Sequence, residues 1–231
     1  MAIEKNIQFK TLKLDLVRFK PDPEKLRLLD YDSCIYFTKD PSEMEVDYAE
    51  HSEHSEHANY TNYAIFPAYL IECDDVTTLK RELRKAEKSW IIGVKSSEIS
   101  VLREAISRKK VDILLDSVQN RIDYVALKLA SEKDVAVELS FSKFLGVKGT
   151  KRMRLFEHAG DVISMAKKLS TPLVLSSAAS NFFEMRSLRQ IEDFFRFLGA
   201  DFDSCLANVR KIIRRYFDDS YILDGLEYDS G

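Results

Sequence analysis

Three of the four histidines in this chain, His51, His54 and His57, recur every third residue in "EHSEHSEHANY", with a carboxylate between each pair. Imidazoles and carboxylates at short spacing are the donors of zinc and dinuclear hydrolase sites. On a helix, however, a step of three residues turns about 300°. The three rings would fan over a wide arc, where an HxxxH pair would bring two imidazoles onto one face. The stretch is acidic, of low complexity and without an apolar face. It is expected to be a solvated helix or mobile loop on the periphery, with weak or adventitious metal binding as the alternative.

A second set of candidates is basic. "SKFLGVKGTKRMRLF" (142–156) holds Lys143, Lys148, Lys151, Arg152 and Arg154, with Gly146 and Gly149 for loop freedom and Phe144 and Phe156 nearby. "FFEMRSLRQ" (182–190) adds Arg186 and Arg189. A flexible basic loop leading into a helix N-terminus suits phosphate oxygens, and its bland alternative is a solvated lid. "VRKIIRRY" (209–216) reads as an amphipathic helix that packs through Val209, Ile212 and Ile213 and leaves Arg210, Lys211, Arg214 and Arg215 in water. The net charge of −3 conceals this basic character. Residues 40–57 carry seven acids and the tail 218–231 five, with no Lys or Arg in either, so setting both aside leaves the body at +9. Such segregation permits a polyanionic partner on one face.

The elements that must position these residues are seven apolar runs separated by helical patterns. The runs are "KLDLV" (13–17), "CIYFT" (34–38), "YAIFPAYLI" (63–71), "WIIGV" (90–94), "VDILL" (111–115), "VAVEL" (135–139) and "PLVLS" (172–176). The later ones are short and β-branched, as strands buried on both faces are. Pro67 predicts a bulge or irregularity in the third. Helices are predicted over 75–88, with an Asp cap and a Val76, Leu79, Leu83, Ala86 stripe, and over 96–110, with Ser caps and a basic end. Further helical patterns cover 119–132, 151–170, 187–198 and 204–217. From the third strand onward the order is β-α-β-α, and no GxGxxG or GxxxxGK[ST] motif argues for an open nucleotide-binding sheet. The expected fold is a single-domain α/β chain, 1–231, forming a TIM-like barrel of about seven parallel strands, with Cys34, Ile113, Val137 and Val174 facing its interior or the surrounding helices.

In such a barrel, chemistry belongs at the carboxyl ends of the strands. Those ends bring Arg18, Thr38-Lys39-Asp40, Cys73-Asp74, Lys95-Ser96, Asp116-Ser117, Ser140-Phe141-Ser142 and Ser176-Ser177, without a histidine among them. The set suits phosphate oxygens and makes a poor metal site. Cys34, Cys73 and Cys205 are an odd number at wide spacings, which points to reduced thiols in a cytoplasmic protein. The start "MAIEKNIQFK" is not a signal peptide and no run reaches membrane-spanning length.

Two long stretches, "VDILLDSVQNRIDYVALKLASEKDVAVELSFSKFL" (111–145) and "KRMRLFEHAGDVISMAKKLSTPLVLSSAASNFFEMRSLRQIEDFFRFLGA" (151–200), resemble the archaeal ribonuclease P protein component 3 family. The likeness lies in the "VDIL" strand, the Ile122-Asp123 pair opening a helix that runs into Leu129-Ala130, the "VAVEL" strand, and a strand ending in Ser176-Ser177-Ala178. It covers about half the chain. The resemblance implies a barrel similar to the polymerase-and-histidinol-phosphatase type without its metal-binding histidines. It implies a subunit of a ribonucleoprotein that removes 5′ leaders from precursor tRNA, with Mg2+ at the RNA subunit and none bound by this chain. Its partners would be the ribonuclease P RNA, another small protein subunit and, indirectly, precursor tRNA. The isolated chain is expected to be inactive. The alternative is a stand-alone metal-dependent phosphoesterase on the same barrel.

Overall fold

The computed structural model describes residues 8–49, 63–117, 122–223 and 226–227. His51, His54 and His57 lie outside these residues. The elements run β1 (Leu14–Val17), α1 (Pro23–Leu28), β2 (Ser33–Thr38), β3 (Asp47–Ala49), β4 (Tyr63–Glu72), α2 (Val76–Lys85), β5 (Ile91–Lys95), α3 (Ile99–Ile106), β6 (Ile113–Leu114), α4 (Tyr124–Lys133), β7 (Ala136–Ser140), α5 (Gly149–Leu169), β8 (Leu173–Ser176), α6 (Leu188–Phe197) and α7 (Phe202–Phe217). A hairpin of β9 (Tyr221–Leu223) and β10 (Leu226–Glu227) follows. Side-chain oxygens start most of the helices: Asp22, Asp75, Asp123, Ser187 and Asp201 each accept a backbone N–H of the first turn. The predicted Ser cap of α3 is absent. Ser96 instead binds Asp74 and the Glu98 N–H, and the helix opens at Glu98 without a side-chain cap.

Seven strands pair in parallel in the order β1-β2-β4-β5-β6-β7-β8. The sheet is nearly closed on itself. Just past the end of β8, the Ala178 N–H donates to Leu16 O at 3.0 Å and the Arg18 N–H to Ala179 O at 2.8 Å. Ala178 turns into the left-handed region (φ 46°) at this seam. Asp15 completes it, accepting the Ser177 N–H at 2.7 Å and the Ser177 hydroxyl at 2.5 Å.

Strand alternation sorts the core into two clusters. Leu14, Leu16, Ile35, Phe66, Ile113 and Val174 fill the barrel interior, and Cys34, Ile65, Val94, Leu114 and Val137 pack against the helices. At Gly93 the Phe37 ring occupies the space of a side chain, and a Cβ there would clash with it. Helix α7 covers the N-terminal end of the barrel through Val209, Ile212 and Ile213. It is fixed by Arg210 to Leu12 O, Asn208 to Leu173 O and the Tyr216 hydroxyl to Asp112. All three cysteines are free and buried. No helix among the described residues is long and apolar enough to cross a membrane.

Three local expectations change. Of the bulge or irregularity expected at Pro67, the strand shows no bulge, only a break on one edge. On one edge β4 pairs with β3 over 63–65 and with β5 from Ala68, and Phe66 and Pro67 fall between the two ladders. The described part of the acidic segment, 40–49, is built into the fold. Glu43 accepts the hydroxyls of Thr38 and Tyr36, and β3 lies antiparallel on β4. The basic face of α7 is paired: Lys211 and Arg215 bind Asp134, and Arg214 binds Asp218. Asp134, in left-handed conformation after α4, was not visible as a partner in the sequence.

Burial pushes the Asp15 carboxyl up to about 6, against the pull of its Ser177 and Leu16 donors. Burial does the same to Asp112. A raised carboxyl holds its proton in the fold to a higher pH than in the unfolded chain. Its contribution therefore favours the fold at low pH and is lost as pH rises from about 4 to about 6. Asp15→Asn removes one such group. Between pH 4 and pH 7 its unfolding free energy, measured by urea titration, should improve relative to the parent by about 2–3 kcal/mol. A difference that does not change with pH would show that Asp15 titrates normally.

Candidate nucleic-acid interface

The carboxyl ends of the strands form a mouth whose floor is charged and internally paired. In β7, Ala136 lies in the interior cluster and Val137 in the outer one, so alternation turns Glu138 inward. Its side chain is fully buried. One oxygen accepts the Ser176 hydroxyl at 2.6 Å, and the other accepts the Asp116 N–H at 2.9 Å and the Arg18 guanidinium. Arg18 reaches it from the end of β1 while lying over the Phe37 ring, 4.8 Å from its centroid. Asp116, just past β6, accepts the Ser140 N–H at 2.8 Å and the Lys143 ammonium at 2.6 Å. A cavity of about 10 Å³ lies beside these groups, lined also by His158 of α5. On the opposite side of the mouth Glu72 bridges Lys39 at 2.6 Å and Lys95 at 2.8 Å. The two ammonium groups, Lys39 first, hold its carboxyl down at about 2.

The predicted basic residues separate into distinct environments. Lys143 lies in a single 3-10 turn (142–144) with 3% of its side chain exposed, and its charge is spent on Asp116. Lys148, Lys151, Arg152 and Arg154 are exposed at the start of α5 and have no carboxylate partner among the described residues. That helix opens without a side-chain cap and without an acid in its first turn, and Gly149 there takes φ +59°. Four cations at a helix N-terminus oppose the dipole, so the arrangement is unfavourable until an anion meets it. Arg186 is half-buried. Its Nη1 donates to the carbonyls of Phe183 and Met185, and its guanidinium lies over Phe141. Arg189 is 89% exposed in the first turn of α6, with Asp193 one turn on at 3.8 Å.

Sequence reading missed Glu138, Glu72 and His158 at this mouth. Glu138 left one signal, a lone acid at an inward position of a buried strand. Glu72 ends a strand longer than expected. His158 reaches the mouth from within a helix, where strand ends give no hint. Among the described residues, no three His, Cys, Asp or Glu side chains cluster in a way that could hold a metal ion. Asp116 is engaged instead by the buried Lys143 and Glu138 by the part-buried Arg18.

A sequence profile described as RNase P subunit p30 matches residues 1–220. The chain belongs to the RNase P subunit p30 family. It is 41% identical over 160 residues, 69% of its length, to "Ribonuclease P protein component 3" of Archaeoglobus fulgidus, covering 80% of that protein. It is 27% identical over 139 residues to the Methanocaldococcus jannaschii protein of the same name, covering 60% of it. In three dimensions it resembles a chain of the cryo-EM structure of archaeal ribonuclease P with mature tRNA, with a TM-score of 0.71 at 20% identity over 95% of this chain and 99% of that one. The match over 99% of that chain shows a shared fold and agrees with the barrel expected from the strand order.

The two kinds of cation should separate on mutation. Lys143→Met leaves the Asp116 carboxylate buried without its counter-charge and should cost about 3–5 kcal/mol. Lys151→Met should change stability by no more than about 0.5 kcal/mol. Chemical denaturation of both variants checks this. Equal effects would contradict the division into a buried pair and a free surface charge.

Proposed function

We propose that this chain is a protein subunit of ribonuclease P that supports a catalytic RNA in removing the 5′ leader from precursor tRNA, and that it binds that RNA rather than cutting it. The carrying observation is the uncapped N-terminus of α5, where Lys148, Lys151, Arg152 and Arg154 stand exposed and unpaired by carboxylates among the described residues. Backbone N–H groups and cations gathered at one helix end suit phosphate oxygens. Arg189 extends the set onto the first turn of α6. In this reading Lys143 and Arg186 are positioning residues: the first shapes the mouth through Asp116, the second holds the turn before α6. The names of the p30 relatives support the assignment to ribonuclease P.

The same reading gives the chain no metal of its own. Asp116 and Glu138 already have cationic partners, the buried Lys143 and the part-buried Arg18, which supply the positive charge that a metal ion would bring. Mg2+ then belongs to the RNA subunit. A second small protein subunit completes the partners, and the cytoplasm is the expected compartment.

Removal of phosphate-binding cations has a signature in salt. For a Lys151→Ala, Arg152→Ala, Arg154→Ala variant, the slope of log affinity against log salt should fall by roughly 0.7–0.9 for each phosphate that is no longer neutralised. Affinity should drop similarly for RNAs of different sequence, because phosphate contacts position without specifying. The variant should melt as the parent does. Unchanged binding at every salt concentration would remove this helix end from the RNA interface.

A further inference from the structure

Phe183 is 89% exposed, more than any other large apolar side chain among the described residues. It does not sit on a loose loop. Asn181 accepts the Phe183 N–H at 3.0 Å, Glu184 turns its carboxylate back onto the Ser180 N–H at 2.8 Å, and Arg186 clamps the Phe183 carbonyl at 2.9 Å. Phe182 stands edge-on beside it at 6.3 Å, packed on the core, with Lys25 Nζ 5.3 Å from its ring centroid. A single 3-10 turn (182–184) thus holds a bare ring in water, fixed by three side-chain hydrogen bonds. Such rigidity has no use for the core, which Phe183 does not touch.

We infer that Phe183 is a stacking platform for an unpaired base of the bound RNA, with Arg189 contacting a neighbouring phosphate. The inference rests on the RNA-binding reading above and adds a residue and a kind of ligand to it. Contiguity with the basic helix end supports it. The Arg152 guanidinium lies 5.9 Å from the Phe156 ring, Phe156 is 5.8 Å from Phe194, Phe194 is 4.9 Å from Phe141, and Arg186 covers Phe141 at 5.6 Å. These contacts join the start of α5 to the turn that Arg186 holds, so one continuous face carries both the cations and Phe183. Its chemistry favours a base over a protein surface. A stacking site needs one ring face and nearby cations, and accepts any base. A protein hot spot is a desolvated pocket enclosed by surrounding contacts, and here the flanking carboxylate is folded away and the flanking side chains are cationic.

The test uses the full chain and two probes: a blunt RNA duplex and the same duplex with a single-stranded overhang. Phe183→Ala should weaken binding of the overhang RNA by about 5- to 100-fold. It should leave the blunt duplex, the salt slope and the melting temperature at parental values. Phe183→Trp should restore affinity, and its indole emission should be quenched on adding the overhang RNA. Phe183→Leu should not restore it. Parental affinity for Phe183→Ala or Phe183→Leu would overturn the inference. So would a Phe183→Ala defect that appears only when another protein subunit is added, which would mark the turn as a protein contact. If Phe183→Ala is silent while the Lys151, Arg152, Arg154 variant loses salt-dependent binding, stacking alone fails. If the parent shows no salt-dependent RNA binding, the RNA-binding reading falls and takes this inference with it.

Discussion

A carboxylate inside a barrel is the constraint around which the mouth is organised. Glu138 is fully buried on an inward position of β7. An unpaired charge there would be costly, so its oxygens must be satisfied by whatever the neighbouring strands bring. They bring Arg18 from β1, the Ser176 hydroxyl from β8 and the Asp116 N–H from the end of β6. One side chain thereby joins three strand ends across the seam where the sheet closes. Asp15 does the same from the outer side by holding Ser177. Closure of the barrel and neutralisation of its mouth are one set of contacts.

That arrangement separates two uses of positive charge. Arg18 and Lys143 are consumed inside, where they balance Glu138 and Asp116. On the bottom of the barrel Lys211, Arg214 and Arg215 are consumed by Asp134 and Asp218. The surplus at the start of α5 has no carboxylate partner among the described residues, and it faces solvent beside a mouth whose cations are already engaged by Glu138, Asp116 and Glu72. A barrel built this way presents phosphate-binding chemistry at its rim and little unpaired acid–base chemistry at its centre.

Much of the framework was legible in the sequence because it depends on local signals. Short apolar, β-branched runs, the Asp75 cap and helical periodicity all act within about ten residues, and with the β-α order they placed the seven parallel strands and six of the helices. Helix α1 was missed although Asp22-Pro23-Glu24 is a cap followed by a first-turn proline and acid. The mouth was only partly legible. Arg18, Asp116, Ser140 and Ser176 follow from strand ends. The pairing of Glu138 with Arg18 joins residues 120 positions apart and requires the register of a closed sheet. Nor does sequence distinguish Lys143 from Lys148. Both lie in one basic stretch, and only the 3-10 turn after β7 directs the first inward.

The most direct test is reconstitution of precursor-tRNA cleavage with ribonuclease P RNA and the remaining protein subunits in Mg2+, with this chain present, absent or alone. Adding the chain should increase leader removal, and the chain alone should release no leader. Metal-dependent cleavage by the isolated chain, or activity of the particle that is indifferent to its presence, would contradict a subunit that supports the RNA.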